Sequence, residues 1–316
     1  MTYSQADITV PYAVANFAEI RHKGYYYVDK TNYIPLLERY KAPVFLRPRR
    51  FGKSLLVSML AHYYDRNMAT QFKDLFGGTW IGEHPTNEHN QYLVVRYDFS
   101  TTSVASKKED IEKNFNAVNC SPLRTLVERN RDLFGDFRFR EDGNASNMLV
   151  EVCEFISSHN LPPLYILIDE YDNFTNQLLV VYKDSLYQDL TTGESFLRTF
   201  FKVIKAGIGE GTIRTCFCTG VLPVTMDDLT SGYNIAKMLT LKPEFTNLLG
   251  FTHKEAAQYL KYVIKKYGPQ ASFEELWTLI LNNYDGYHFL PNAEPLFNST
   301  ILTYFLKNFA ELKGGI

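Results

Sequence analysis

Arg47-Pro48-Arg49-Arg50-Phe51-Gly52-Lys53-Ser54 follows the short apolar run Val44, Phe45, Leu46 and opens into an apolar helical pattern that begins at Leu55. Strand, tight loop and helix in that order bring successive backbone N–H groups and a helix N-terminus to one point, which suits a di- or triphosphate. In such a loop Gly52 lets the backbone approach the phosphates. Lys53 reaches the β- and γ-phosphates, and the Ser54 hydroxyl completes a Mg²⁺ shell. The usual pattern G-x-x-x-x-G-K-[ST] starts on glycine, whereas Arg47 stands there in this chain. A side chain narrows the backbone conformations open to that position, so a loop of somewhat different shape is expected. The competing reading is a basic surface turn, because Gly-Lys-Ser alone recurs by chance.

Leu164 to Asp172, L-Y-I-L-I-D-E-Y-D, supplies the context. Five apolar residues without helical period, ending in two carboxylates, describe a buried parallel strand with acids at its C-terminal end. Open α/β sheets place ligand chemistry there. Asp169 is expected to hold the Mg²⁺ opposite Ser54, and Glu170 to act as the general base toward a water attacking the γ-phosphate. A solvated helix cap is the bland account of an Asp-Glu pair. Its pairing with a strand, loop and helix upstream, one βα unit away, argues against that account.

Further elements fill in a sheet of about five mostly parallel strands. Tyr92 to Phe99 is β-rich and is expected to be the second strand; Ile213 to Cys218 and Leu239 to Phe245 are the expected later ones. Leu55, Leu56, Met59, Leu60, Tyr63 and Tyr64 recur at helical spacing, and Thr31 is expected to cap a helix over 32–39. Helical pattern covers 106–160, with a break near 131–147, and 194–205. Gly82 to His89 has the composition of a loop. Thr252 and Glu255 form a capping box, so helices over 255–265, 273–282 and 300–312 make a small C-terminal subdomain. The division expected is 1–249 for the α/β part with its N-terminal arm and 250–316 for a helical, lid-like part.

Composition narrows the class. The 316 residues are 45% hydrophobic and 22% charged with a formal net charge of −2, which argues against binding nucleic acid by bulk charge. Four cysteines include no C-x-x-C pair; Cys216 and Cys218 alternate, so both are expected on one face of a strand as reduced core thiols. Met1 to Gln5 is polar, no apolar signal region follows, and no run approaches a membrane span. The expectation is a cytoplasmic protein with no membrane partner.

The strings Y-Y-V-D-K-T (26–31), R-P-R-R-F-G-K-S-L, L-I-D-E-Y-D, T-G-V-L-P (219–223), T-S-G-Y-N (230–234) and G-F-T (250–252) together resemble the bacterial "AAA-ATPase-like" family. That resemblance implies a P-loop NTPase of the additional-strand, catalytic-glutamate type, in which an arginine opening the loop is itself a family trait. It implies ATP and Mg²⁺ as ligands, with the loop from Arg49 and Arg50 through Phe51, Gly52, Lys53 and Ser54 to Leu55 around the phosphates. Tyr27, Val28 and Lys30 are placed near the base by the same resemblance, against the alternative that this segment only covers the sheet edge. Thr219, ending the fourth strand, would orient the attacking water, or simply make a turn. Arg50 or Arg49 would touch a phosphate, or act across a homo-oligomer interface as an arginine finger; alternatively both pair with carboxylates such as Asp172 and merely brace the loop. Many members continue into a PD-(D/E)XK nuclease-like domain, and no such motif is visible in these residues.

Lys53, Glu170, Thr219 and Arg50 are thus the expected catalytic groups, and ATP hydrolysis that drives or gates a partner is the expected function. Two alternatives stay open. One is a nucleotide switch or adaptor that does not hydrolyse. The other is the ATPase part of a nucleic-acid-processing effector, which rests on family analogy alone.

Overall fold

The computed structural model describes residues 9–102, 108–141, 143–173, 195–223 and 233–312. Strands β1 (Pro43–Leu46), β2 (Leu93–Asp98), β3 (Leu164–Asp169), β4 (Ile213–Gly220) and β5 (Lys237–Met238) pair in the order β2-β3-β4-β1-β5, every pair parallel. β4 is therefore inserted between the strand that leads into the glycine-lysine loop and the strand that ends in the acids. This is the α/β architecture of the P-loop NTPases with an additional strand.

All six residues of β3 are buried, which requires cover on both faces of the sheet. Alternation along the strands divides the core accordingly. Leu93, Val95, Tyr97, Ile166, Ile168, Cys216 and Cys218 pack toward α2 (Lys108–Arg129), α3 (Ala145–His159) and α4 (Phe196–Glu210). Phe45, Val94, Tyr165, Leu167 and Phe217 face α1 (Lys53–Tyr64), where the Tyr64 and Tyr165 rings stack with centroids 4.0 Å apart. Cys216 and Cys218 do share a face, as free buried thiols with sulfurs 3.8 Å apart.

A separate apolar core joins α5 (His253–Tyr267), α6 (Phe273–Tyr284) and α7 (Ser299–Glu311), and Val10 from the N-terminal arm belongs to it. The capping box at the start of α5 is formed as the sequence implies. Its Glu255 does more than cap. It receives Lys30 Nζ at 2.6 Å, so the arm and the helical region are pinned together by a largely buried ion pair.

Three local expectations need correction. The last strand is only Lys237–Met238, and Pro243–Phe245 is a 3₁₀ turn; Pro243 cannot donate to a ladder. Thr31 is not a cap: its hydroxyl accepts from Ile81 N, while Asp29 accepts from Thr31 N and a 3₁₀ turn leads into the short helix Ile34–Leu37. The expected loop Gly82 to His89 begins inside a helical turn, Trp80–Glu83, capped by Thr79.

Gly220 matters where β4 ends. A Cβ there would lie 2.2 Å from Asp172 Oδ1 and 2.8 Å from Tyr171 Cδ1. Asp172 cannot retreat, since its buried carboxylate accepts from Val221 N at 3.0 Å and Leu222 N at 2.7 Å. Gly220→Ala is expected to destabilise the chain by about 1–3 kcal/mol. Urea unfolding checks this, as a lower midpoint with unchanged slope.

Candidate active site

The loop 47–52 bends through two left-handed residues, Arg50 at φ 70° and Gly52 at φ 93°, before α1 starts at Lys53. Arg47 is 1% exposed. Its guanidinium donates to the carbonyls of Leu46, Thr240 and Thr246 and lies 3.9 Å from the Phe289 ring centroid. Burial draws its pKa down to about 10, which leaves it charged at neutral pH. The side chain that replaces the usual glycine thus points out of the loop into the body of the protein. Among the described residues, no protein acceptor takes the N–H groups of residues 49–54. A row of unengaged amides at a helix N-terminus is the arrangement that receives phosphate oxygens.

Lys53 is 4% exposed and donates to the carbonyls of Arg47 at 3.1 Å and Pro48 at 3.2 Å. Its Nζ lies 3.7 Å from Glu170 Oε1. Burial lowers the ammonium pKa, against the opposing pull of Glu170, Asp169 and Asp172. The reciprocal holds for Glu170: burial raises its carboxyl pKa, with Lys53 the largest opposing influence.

Glu170 follows the end of β3 at φ 52°. Its amide donates to Asp169 Oδ1 at 3.0 Å, and the next amide, of Tyr171, donates to Thr219 O at 3.1 Å. Those bonds hold a left-handed turn that a glutamate would otherwise avoid. Asp169 is 2% exposed, and burial raises its pKa, with the nearby Ser54 hydroxyl the largest opposing influence. Arg96 of β2 places a guanidinium nitrogen 3.9 Å from Asp169 Oδ2. One hydroxyl and one carboxylate side by side fit a Mg²⁺ that keeps waters and substrate phosphates in the rest of its shell.

A cavity of about 490 Å³ is lined by Lys53, Ser54 and Glu170, while Asp169 lies behind them and is not among its lining residues. The cavity floor is the loop from Arg49 to Leu55 with Glu170. The apolar end lies between the arm (11–15, Tyr26, Tyr27, Val28) and the C-terminal region (Leu248 to Phe251, Tyr259). A polar end joined to an apolar slot suits a ligand with phosphates and a flat ring system.

Most residues expected at the site converge there: Tyr27, Lys30, Arg49, Arg50, Phe51, Gly52, Lys53, Ser54, Leu55 and Glu170 line the cavity. The geometry does not meet the expected role of Thr219 or the bracing alternative for the arginines, and it engages the Lys30 ammonium elsewhere. Thr219 is fully buried, with its hydroxyl donating to Phe45 O at 2.8 Å inside the sheet, so it does not face the cavity. The Lys30 ammonium is engaged by Glu255 and Asn247 O. Arg49 and Arg50 do not brace against Asp172, which holds the backbone at 221 and 222; both are exposed. The motif 230–234 falls mostly outside the described residues, and only its Tyr233 is seen buried among the core residues. Sequence reasoning missed Arg96, Asn298 and Ser299. Only an N-cap pattern, Asn-Ser-Thr before an apolar run, hinted at the last two.

Residues 11–230 match the family described as "Predicted AAA-ATPase". The chain is also similar to a protein of Azotobacter chroococcum mcd 1 described as "Uncharacterized protein in vnfD 5'region". The two are 26% identical over 255 residues, which cover 78% of this chain and 43% of that protein. The matched part of this chain thus spans less than half the length of that relative. Among the described residues no helix is long and apolar enough to cross a membrane.

Proposed function

Because this chain belongs to the predicted AAA-ATPase family, we propose that it binds ATP with Mg²⁺ and hydrolyses it, the turnover driving or gating a partner. The observation that carries the reading is the meeting of Lys53 and Glu170, 3.7 Å apart, over one cavity floored by the loop. A nucleotide binder has no need of a carboxylate there; a hydrolase needs a base within reach of a water.

The chain's own groups divide the work. Amides of the loop and Lys53 hold the phosphates, Ser54 and Asp169 hold Mg²⁺, and Tyr27 and Val28 line the base slot. Bound Mg²⁺ would neutralise phosphate charge and orient the terminal phosphoryl group. Glu170 takes the proton of the attacking water. Arg49 and Arg50, exposed at the loop, are placed to meet a phosphate or a neighbouring copy.

Titration calorimetry with Mg-ATP tests binding, and phosphate release tests hydrolysis. The pH profile tests the base. Burial raises the Glu170 pKa, and the base must be ionised to act. Turnover is therefore expected to be full above that raised pKa and to fall as pH drops through it. The acid limb should lie above the ordinary glutamate value. A limb at or below that value would assign the base elsewhere.

A further inference from the structure

The outward side of the phosphate loop is held by residues far along the chain. Asn298 is the N-cap of α7 and is 3% exposed. Its Oδ1 accepts from Ile301 N at 3.3 Å, while its Nδ2 donates to Arg49 O at 3.1 Å. The next two residues continue the contact: Ser299 Oγ donates to Arg50 O at 3.3 Å and Thr300 N to the same carbonyl at 3.1 Å. Phe51 extends it, with its ring edge-on to Tyr287 and Phe289 at 4.9 and 5.5 Å. Carbonyls of the loop therefore face α7, and the unengaged amides of the same peptides are left for the cavity.

An amide plane is rigid, so fixing which way a carbonyl points also fixes the N–H on the other side of that plane. We propose that Asn298 is a positioning residue for the phosphate loop, orienting it from outside through the Arg49 carbonyl, so that the start of α7 is part of the phosphate site. This rests on the reading of the cavity as an ATP site. It replaces the picture of residues 250–312 as only a cover over nucleotide. Where the common loop relies on a glycine at its first position, this one is shaped by Arg47 buried on Thr240 and Thr246 and by Asn298 on Arg49.

The rival account is that Asn298 only caps α7. Ser and Asp cap a helix about as well as Asn, but neither can donate to Arg49 O: serine is too short and an ionised aspartate has no proton. Asn298→Ser and Asn298→Asp therefore keep the cap and lose the loop contact. The serine variant also controls for the charge that aspartate adds near phosphates. Wild type and both variants of this chain are titrated with Mg-ATP by calorimetry and melted without nucleotide. The expected result is about tenfold weaker binding in both variants, the scale of one positioning hydrogen bond, with a midpoint close to wild type for serine and a lower one for aspartate, whose carboxylate is buried against the Arg49 carbonyl, so the serine variant decides. Asn298→Ala, which loses both bonds, is expected to lower midpoint and affinity together. Cap-preserving variants that bind like wild type would overturn the proposal. So would a serine variant whose affinity falls only in step with the midpoint, since that is the signature of a cap. If wild type itself does not bind Mg-ATP, the ATP reading fails and this inference falls with it.

Discussion

Glu170→Gln binds ATP about as tightly as the wild type and turns it over roughly 10²–10⁴-fold more slowly. The expectation follows from how the residue is held. Its φ of 52° turns the chain at the end of β3, and bonds to Asp169 Oδ1 and Thr219 O fix the peptides on either side. The carboxylate therefore reaches the cavity beside Lys53 from a backbone that has little freedom to move. Glutamine keeps the size and the hydrogen bonding but cannot accept a proton. Losing the carboxylate removes a negative charge near the phosphates and frees the Lys53 ammonium for them, so any change in affinity is toward tighter binding. Phosphate release and calorimetry on the same preparations check both halves, and light scattering with ATP shows whether the stalled form assembles. Hydrolysis at the wild-type rate would remove Glu170 from the mechanism. Binding without hydrolysis in both proteins would favour the nucleotide switch.

Lys53→Ala is expected to weaken ATP by about 2–4 kcal/mol, the scale for truncating one partner of a desolvated charge pair. The ammonium is 4% exposed and is already held at the loop by two carbonyls, so little ordering remains to be done when phosphates arrive. Stability should not fall in parallel. Burial depresses the Lys53 pKa, which means that the folded state tolerates this charge poorly. Calorimetry gives the affinity and a melt gives the stability. A variant that binds ATP as wild type would refute the phosphate role of Lys53, and a wild type blind to Mg-ATP would refute the site.

The two signals that located the site are local in the chain. Arg47 to Ser54 between an apolar run and a helix, and L-Y-I-L-I-D-E, each state a backbone geometry that a few neighbouring residues impose. Alternation carried the sheet faces as well: Cys216 and Cys218 fall on one side and Phe217 on the other. Boundaries were less legible where a tertiary partner replaced the local one. Thr31 has the chemistry of a cap, yet its hydroxyl serves the amide of Ile81, fifty residues away. Thr219 has the chemistry of a water-orienting group, yet its hydroxyl donates to Phe45 O of the neighbouring strand at 2.8 Å.

By itself the sequence determined the class of fold, the glycine-lysine loop between strand and helix, the two acids and their order along the chain, because periodicity records which residues are buried and motifs record what the backbone must do. Tertiary structure alone decided how the loop is shaped. Arg47 reads as an anomaly in the motif and becomes a buried pin on Thr240 and Thr246; Asn298, which the sequence did not single out, caps α7 and holds Arg49 O from 249 residues away. Such partners are not legible in one chain, since a pattern of burial states that a side chain must be satisfied and does not state by whom.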